Sequence, residues 1–495
     1  MRHLIACCDG TWMTAVKQSN VSRLRAAVVT QPGEPEPLYV EGAGVSDNPI
    51  DALRGGLTGA DLDRSITAGY RWLAREYRPG DQVALFGYSR GAYTARSIAG
   101  MISRVGLVAP TGDLDRAVEL AYARYREQHS APPGSLPPLG VPLAWEPTDP
   151  QNPVRFIGVW DTVGALGIPA YVGVPDLFRS REQYEFLDVR LDPRIPHARH
   201  AVALDEMRGP FRPTLWRDHG PGQDVKQVWF PGDHGDVGGS HAEKGLSDEA
   251  LDWMMREATE AVGITFDRSR IAGFAPDPTT PPNDMPGGPL GVAYEIALQP
   301  RPRATPRVDH RHEEPGVSPS AYASRRANGY RPTRTLAAPG DTAEVVVPAA
   351  RGWTATGLYL EPGRYRFAAV GEWSSAFDRC GPAGDTSRWH LPGRLFSTVI
   401  GAGETVLRAA LRNPEAQLVG TRRVPEEPWM SLLGLVADEV TDARGQVVHP
   451  DERIPIGAGT TYDVQRRGYL HAFANDAWGF YGNNSGEVRL TVTRV

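Results

Sequence analysis

Asp81 to Ile102 reads DQVALFGYSRGAYTARSIAGMI, and the fold is decided here. Val83 to Phe86 is an unbroken apolar run. Gly87-Tyr88-Ser89-Arg90-Gly91 follows, and then Ala92, Ala95, Ile98, Ala99 and Ile102 recur at helical spacing. The order is strand, sharp turn, helix. G-x-S-x-G at such a turn marks a nucleophile elbow, because a serine on a strained strand-to-helix turn needs glycines where side chains would collide. The turn lifts the Ser89 hydroxyl clear of the sheet edge and over the helix N-terminus, where developing negative charge is stabilised. An ordinary βα turn can carry the same pentapeptide. The buried strand before it and the small-residue helix after it favour the nucleophile.

Outward from the elbow the chain keeps alternating. Leu4 to Cys8 is a short apolar strand ending in Asp9-Gly10-Thr11-Trp12, and Tyr39 to Val45 (YVEGAGV) is a second strand running into glycines. Asp61 to Tyr77 carries Leu62, Ile66, Tyr70, Leu73 and Tyr77 at steps of three and four, an amphipathic helix. A further helix covers Leu114 to His129, and a Pro-rich loop spans Ala131 to Pro153. VRFIGVW (Val154 to Trp160) is the next strand, with Asp161 directly after it. Ile168 to Phe186 mixes aromatics without a period: a lid, or, the preferred reading, an irregular surface segment. Ala201 to Leu204 is short and apolar. VKQVWF (Val225 to Phe230) runs into PGDHGDVGGSH (Pro231 to His241). From Leu246 a helix is expected, with Ser247 as N-cap, Asp248 and Glu249 at its positive end and Gly263 ending it.

This alternation predicts an α/β domain with a mainly parallel sheet covered on both faces. Ala272 to Pro306 is a Pro/Gly-rich irregular excursion, and His312 to Thr335 reads as the tail of the same domain. From Ala343 the runs EVVVPA, TGLYLEPGRYRFAAVGEW, YLHAFAND and GEVRLTVTRV alternate and are separated by turns, which predicts a small all-β sandwich. The expected domains are therefore 1–336 and 337–495.

Composition narrows the function. A chain of 495 residues with 41% hydrophobic and 23% charged content has material for two or three soluble domains. Its 53 basic and 59 acidic residues give a net charge of −6, which argues against nucleic acid as the main partner. Cys7, Cys8 and Cys380 cannot make a disulfide framework. The apolar run near the N-terminus is too short for a signal-peptide core or a membrane span. Synthesis and folding in the cytoplasm are expected, with export, if any, by a machine that reads no cleavable signal. Contact with a membrane surface would be transient.

A serine hydroxyl becomes a useful nucleophile when an imidazole takes its proton and a carboxylate fixes that imidazole's tautomer. His234, in a glycine-rich loop after a strand, is the expected base, with His241 as runner-up. Asp161 is the leading acid; Asp205, Glu206 and Asp236 are alternatives, and N-capping is the ordinary job of a carboxylate at a strand end. The oxyanion donors expected are the Arg90 N–H and a second from Gly10 or Thr11. Asp9 either ties its loop down or serves near the site; the residues alone do not separate these roles.

CDGTW (Cys8 to Trp12), FGYSRGAYTAR (Phe86 to Arg96), GVWDTVG (Gly158 to Gly164), ALDE (Ala203 to Glu206) and WFPGDHGDVGG (Trp229 to Gly239) together resemble a bacterial family of uncharacterised α/β-hydrolases. Its best-known members are phospholipase effectors of the type VI secretion system. The resemblance covers about Met1 to Thr335 and implies an α/β-hydrolase fold and esterase or phospholipase A activity, with the triad falling on Ser89, Asp161 and His234. Asp233 departs from it, since a small or apolar residue is commoner there.

GLYLEPGRYRFAAVGEW, GPAGD (Gly381 to Asp385) and NDAWGFYGNNSGEVRLTV (Asn475 to Val492) resemble the calcium-dependent galactose-binding lectins of the Pseudomonas galactophilic type. That resemblance implies Ca²⁺ held by the side chains of Asp476, Asn483 and Asn484 and the carbonyl of Phe480, with a galactose-type glycan as partner. Hard oxygens close together on one loop are what Ca²⁺ requires. The family's first-loop ligand falls near Ser374 and its sugar-contacting histidine near Arg388 or His390, and a long insertion, roughly Arg408 to Val464, separates the motifs. The combined expectation is a serine hydrolase of lipid esters, most readily phospholipid, targeted by a lectin-like module. The competing readings are a glycan- or surface-binding protein with an inactive hydrolase domain, and an esterase of acylated polysaccharides.

Overall fold

The computed structural model describes residues 2–11, 13–42, 59–127, 139–163, 190–283, 299–309, 313–328, 333–375, 378–384, 422–441 and 447–495. Its first half is a six-stranded sheet in the order β2-β1-β3-β6-β7-β8. These are β1 (His3–Cys8), β2 (Leu38–Val40), β3 (Gln82–Tyr88), β6 (Val154–Trp160), β7 (His197–Ala203) and β8 (Asp224–Phe230). Every pairing in it is parallel. A two-stranded ribbon, β4 (Leu107–Val108) with β5 (Leu143–Trp145), lies off the sheet, and β5 falls inside the stretch expected as a Pro-rich loop.

The continuous apolar runs of β1 and β3 follow from burial on both faces. Leu4, Ala6, Cys8, Val83 and Leu85 meet α2 (Gly59–Glu76), α3 (Arg90–Val105) and α4 (Leu114–Glu127) through Ile66, Tyr70, Leu73, Ile98, Ile102 and Val118. Ile5, Cys7, Ala84, Phe86, Phe156 and Trp160 face the other way, toward Val21 and Leu24 of α1 (Asn20–Ala27) and toward the later helix α6 (Gly245–Val262), which brings Leu251, Met254 and Met255. Cys7 and Cys8 thus serve as small core residues with free thiols, and burial pushes the Cys8 thiol up to about 12.

α6 begins one residue earlier than expected and is capped differently. Lys244 is its N-cap, and Ser247 lies in the first turn with its hydroxyl donating to Lys244 O at 3.0 Å. Asp248 forms a buried ion pair with Arg23 of α1 and accepts from Ala275 N. Gly263 ends the helix in the left-handed region (φ 77°) with nothing within 4 Å of where a Cβ would sit. Gly263→Ala should therefore cost about 1 kcal/mol through backbone strain alone. A chemical denaturation midpoint shows this, and an unchanged midpoint would contradict it.

α7 (Pro319–Ala327) packs through Ala321 and Tyr322 against Val202 and Trp229 of the parallel sheet. β9 (Arg334–Thr335) pairs with β11 (Thr354–Leu360) of the second half.

The second half is a sandwich of two mainly antiparallel sheets over one core. One sheet runs β10 (Thr342–Pro348), β20 (Ser485–Arg494), β12 (Gly363–Ser375) and β13 (Asp378–Cys380), with β18 (Gly459–Val464) also on β12. The other runs β17 (Glu452–Pro455), β14 (Leu432–Ala437), β19 (Gly468–Ala474), β11 and β9. A hairpin of β15 (Val440–Thr441) and β16 (Val447–His449) projects from it. Inward residues such as Val345, Val347, Tyr365 and Phe367 alternate with exposed ones, and Leu432, Leu470 and Leu490 join them in the core. The segment expected as an insertion, 408–464, is corrected: β14, β17 and β18 lie within it and build both sheets. The two halves meet at named contacts. Trp353 Nε1 donates to Pro300 O (2.6 Å), Val308 N donates to the Tyr469 hydroxyl (2.8 Å), and Arg212 pairs with Glu439 (3.1 Å). Among the described residues no helix is long and apolar enough to cross a membrane.

Candidate active site

Three strands bring the expected residues to one rim. Ser89 follows β3 and has φ 57° and ψ −124°, a conformation that disfavours any side chain but is the geometry of an elbow. The flanking glycines are obligatory. A Cβ on Gly87 would lie 2.4 Å from Gly91 O, and one on Gly91 would lie 2.2 Å from Cys8 O. The Ser89 amide donates to Trp160 O (3.1 Å), so the elbow is laced to the last residue of β6.

Asp161 comes next in the chain. It too has positive φ, 37°, and is fully buried, with its amide donating to Ala201 O of β7. Its Oδ2 accepts from His234 Nδ1 at 2.7 Å, and its Oδ1 accepts from Ala203 N at 3.0 Å. Arg303 then closes on the carboxylate with both terminal nitrogens, Nη1 to Oδ1 at 2.8 Å and Nη2 to Oδ2 at 2.9 Å. Burial alone would raise the Asp161 pKa; the Arg303 charge and hydrogen bonds, joined by His234, overcome it and hold the carboxyl well below the usual range.

His234 does not sit in an open loop. It starts a one-turn helix, α5 (His234–Gly238), which Asp233 caps by accepting from Gly235 N and Asp236 N. The helix packs so closely on the elbow that a Cβ on Gly238 would lie 1.8 Å from the Tyr88 ring. The imidazole is buried between Tyr88 and Phe211, with both ring centroids at 4.8 Å. Its backbone is fixed as well: His234 N donates to Glu206 Oε2 (3.2 Å), and the Tyr88 hydroxyl donates to His234 O (3.1 Å).

The alternatives are engaged elsewhere. His241 bonds Asp233 Oδ1 at 2.8 Å and is raised in pKa by that carboxylate. The charge of the departing residue Asp233 is thus turned to a helix cap, His241 and Arg208. Burial would raise its pKa, but His241 and then Arg208 hold it low. Asp205 accepts from Gly232 N, Glu206 pairs with Arg208, and Asp236 accepts from Asp233 N and Asn283. Asp9 ties its loop down: it accepts from Gly10 N (2.7 Å), from the Ser19 hydroxyl and from the Tyr39 hydroxyl.

This bears on the expected oxyanion donors. The Gly10 N–H is occupied by Asp9, although Gly10 itself adjoins the nucleophile, since its Cβ would lie 3.2 Å from Ser89 Cβ. Thr11 is held against the elbow by a hydrogen bond from Arg90 Nε to its hydroxyl, and Arg90 opens α3. Trp12, Gly164 and the aromatic segment 168–186 lie outside the described residues.

The sequence matches the type VI secretion system phospholipase effector Tle1-like catalytic domain over residues 2–257, more than half of its length. The chain belongs to that family. As a Tle1-like protein it carries a hydrolase domain of the phospholipase and esterase type. It is also 34% identical over 157 residues to an uncharacterized protein of Saccharomyces cerevisiae, a match covering 30% of this chain and 21% of the yeast protein. The Tle1-like chain thus spans about a fifth of that relative. A solved Tle1 effector bound to the VgrG spike of the type 6 secretion system is 12% identical, covers 97% of this chain and 70% of its own, and has a TM-score of 0.29. The EclA N-terminal domain, a PllA-like lectin, is 21% identical, covers 31% of this chain and 95% of its own, and has a TM-score of 0.19. At these scores neither likeness bears on the fold or the site.

In the sandwich, Asp476 is buried and accepts from Ala477 N (2.7 Å) and from Asn484 Nδ2 (2.8 Å). Burial raises its pKa, with Asn484 and the nearby Arg423 opposing. Asn484 Oδ1 is a buried oxygen without a donor among the described residues, on the side chain that donates to that carboxylate. Phe480 O accepts from Asn483 N, which leaves it a second lone pair. An oxygen-only set with an orphaned carbonyl fits a hard cation. Ser374, at the family's first-loop position, is bonded to Ser485 (2.8 Å), and residues 388 and 390 lie outside the described residues.

Proposed function

We propose that this Tle1-like chain hydrolyses the acyl esters of phospholipids as a serine hydrolase, with Ser89 as nucleophile, His234 as base and Asp161 as the acid that orients it. The observation that carries this is the Asp161 Oδ2 to His234 Nδ1 hydrogen bond at the rim where the Ser89 elbow is anchored. With Nδ1–H donating to Asp161, Nε2 is the proton acceptor. Ser89 Oγ attacks the ester carbonyl while its proton passes to Nε2. The oxyanion is stabilised by the Arg90 and Thr11 amides, and collapse expels the lysolipid alkoxide, which takes the proton from His234. Water then enters by the same route and releases the fatty acid. Incubation with phospholipid vesicles should liberate free fatty acid, and the same incubation with Ser89→Ala should not. Equal release by both proteins would sink the proposal.

The same proposal gives the sandwich a docking role toward a galactose-type glycan, with Ca²⁺ held by Asp476, Asn483, Asn484 and the Phe480 carbonyl. A bound Ca²⁺ supplies a hard cation that orders sugar hydroxyl oxygens. Synthesis in the cytoplasm belongs to it as well. If Ca²⁺ binds the folded loop at about a hundred times its Kd, removing it with EDTA should lower the melting temperature by roughly 5 °C. Asp476→Asn should make the protein indifferent to EDTA. A melting temperature that ignores both changes would reduce the loop to a turn.

A further inference from the structure

Beside the proposed triad, where the hydrolase half meets the sandwich, lies a cavity of about 50 Å³ lined by Arg208, Arg212, Arg217, Arg301 and Arg303, with Glu439 the one carboxylate in its wall among the described residues. Four further carboxylates hold the guanidiniums in place from outside the lining. Arg303 is clamped on Asp161, Arg208 on Glu206 and Asp233, and Arg301 on Asp451 at 3.1 Å. Arg212 pairs with Glu439, and Arg217 donates to the Thr441 hydroxyl. Each arginine is thus partnered before any ligand arrives, and the described lining itself brings five guanidiniums together with one carboxylate. Arg303 Nε is in addition a buried donor with no acceptor among the described residues, on a side chain only 5% exposed.

The cavity is one side chain from the chemistry. Arg303 bridges it to Asp161, Phe211 lies between the lining residues Gly209 and Arg212 and packs on His234, and Arg208 shares Glu206 with the His234 amide. Planar guanidiniums in a fixed array match the tetrahedral oxygens of a phosphate, and fork-shaped donors bind such oxygens in pairs.

We propose that this cavity is the subsite for the phosphate group of a phospholipid whose acyl ester lies at Ser89. The assignment rests on the phospholipase reading given above. It makes the phosphate the feature that distinguishes substrate from neutral glyceride, and it places Glu439 and Thr441 of the sandwich at the wall of the substrate site.

The test uses full-length Ser89→Ala, which leaves lipid intact, and measures equilibrium binding of soluble dihexanoyl phosphatidylglycerol, dihexanoylglycerol and inorganic phosphate. The phospholipid should bind about tenfold or more tightly than the neutral diacylglycerol, as charge-assisted hydrogen bonds to phosphate imply. Adding Arg212→Gln and Arg217→Gln should erase that ratio, whereas Arg217→Lys should keep part of it. Equal binding of the two lipids overturns the proposal, as does a ratio that survives the double substitution in a folded protein. Inorganic phosphate binding as tightly as the phospholipid overturns the lipid assignment in favour of free phosphate. The ratio is read in Ser89→Ala itself, so it stands even where the double variant does not fold. Discrimination in binding without fatty acid release by the wild type would remove the hydrolase reading and leave the subsite. Release without discrimination would do the reverse.

Discussion

Replacing Ser89 with alanine is expected to lower kcat/KM for ester hydrolysis by roughly 10⁴- to 10⁶-fold, because a triad loses nearly all its function with any one member. His234→Ala should cost about as much, and the double variant little more than either alone, since the two act as one unit. Folding should survive in both serine variants to be compared. Alanine at position 89 inherits the same backbone, φ 57° and ψ −124°, so the strain stays and stability changes little. Ser89→Gly removes the steric objection to that backbone and should be at least as stable as the wild type while equally inactive. Inactivity combined with unimpaired stability is the pattern expected of strain held at a functional site. A Ser89→Ala protein retaining a tenth of the wild-type rate would mean that the nucleophile is elsewhere.

What the sequence reveals of this site, and what it hides, divides along the range of the interactions. Ser89, Asp161 and the strands ahead of them are legible because each signal is local: an apolar run buried on both sides, then a turn with glycines or a carboxylate. His234 is legible as a position but not as a conformation. Glycines and aspartates read as a loop, whereas the Asp233 cap and the close fit of Gly238 on Tyr88 make a helical turn of it. The 408–464 stretch misleads for a different reason. Spacing between lectin-like motifs suggests an insertion, yet the residues of β14, LLGLVA, are buried throughout and pair on both edges, with β17 and β19. Arg303 is not legible at all. It lies 142 residues from Asp161 in a stretch rich in proline and glycine, with no period or motif to mark it. Only the tertiary fold brings it to the carboxylate.

That makes Arg303 the most exposed point of the design. Asp161 is fully buried and would be a costly isolated charge; two Arg303 hydrogen bonds and a full positive charge offset this, and Arg303 also donates to Ala203 O at 2.8 Å and to Phe211 O. Arg303→Met should therefore destabilise the protein by about 3 to 5 kcal/mol at neutral pH, the usual result of removing one partner of a buried ion pair. Arg303→Lys should recover part of this, as it restores the charge but not the two-pronged geometry. The pH dependence follows from the depressed Asp161 pKa. Such a group contributes stability that is fully present above the unfolded carboxylate pKa and is lost as pH falls through that range toward the folded value. Wild type and Arg303→Met should thus differ most at neutral pH and converge in acid, where Asp161 in the variant can take a proton and cease to be a buried charge. Urea unfolding at pH 7 and near pH 4 measures both differences, and a gap that stayed constant or widened in acid would mean that Arg303 stabilises the fold by packing rather than by its hold on Asp161.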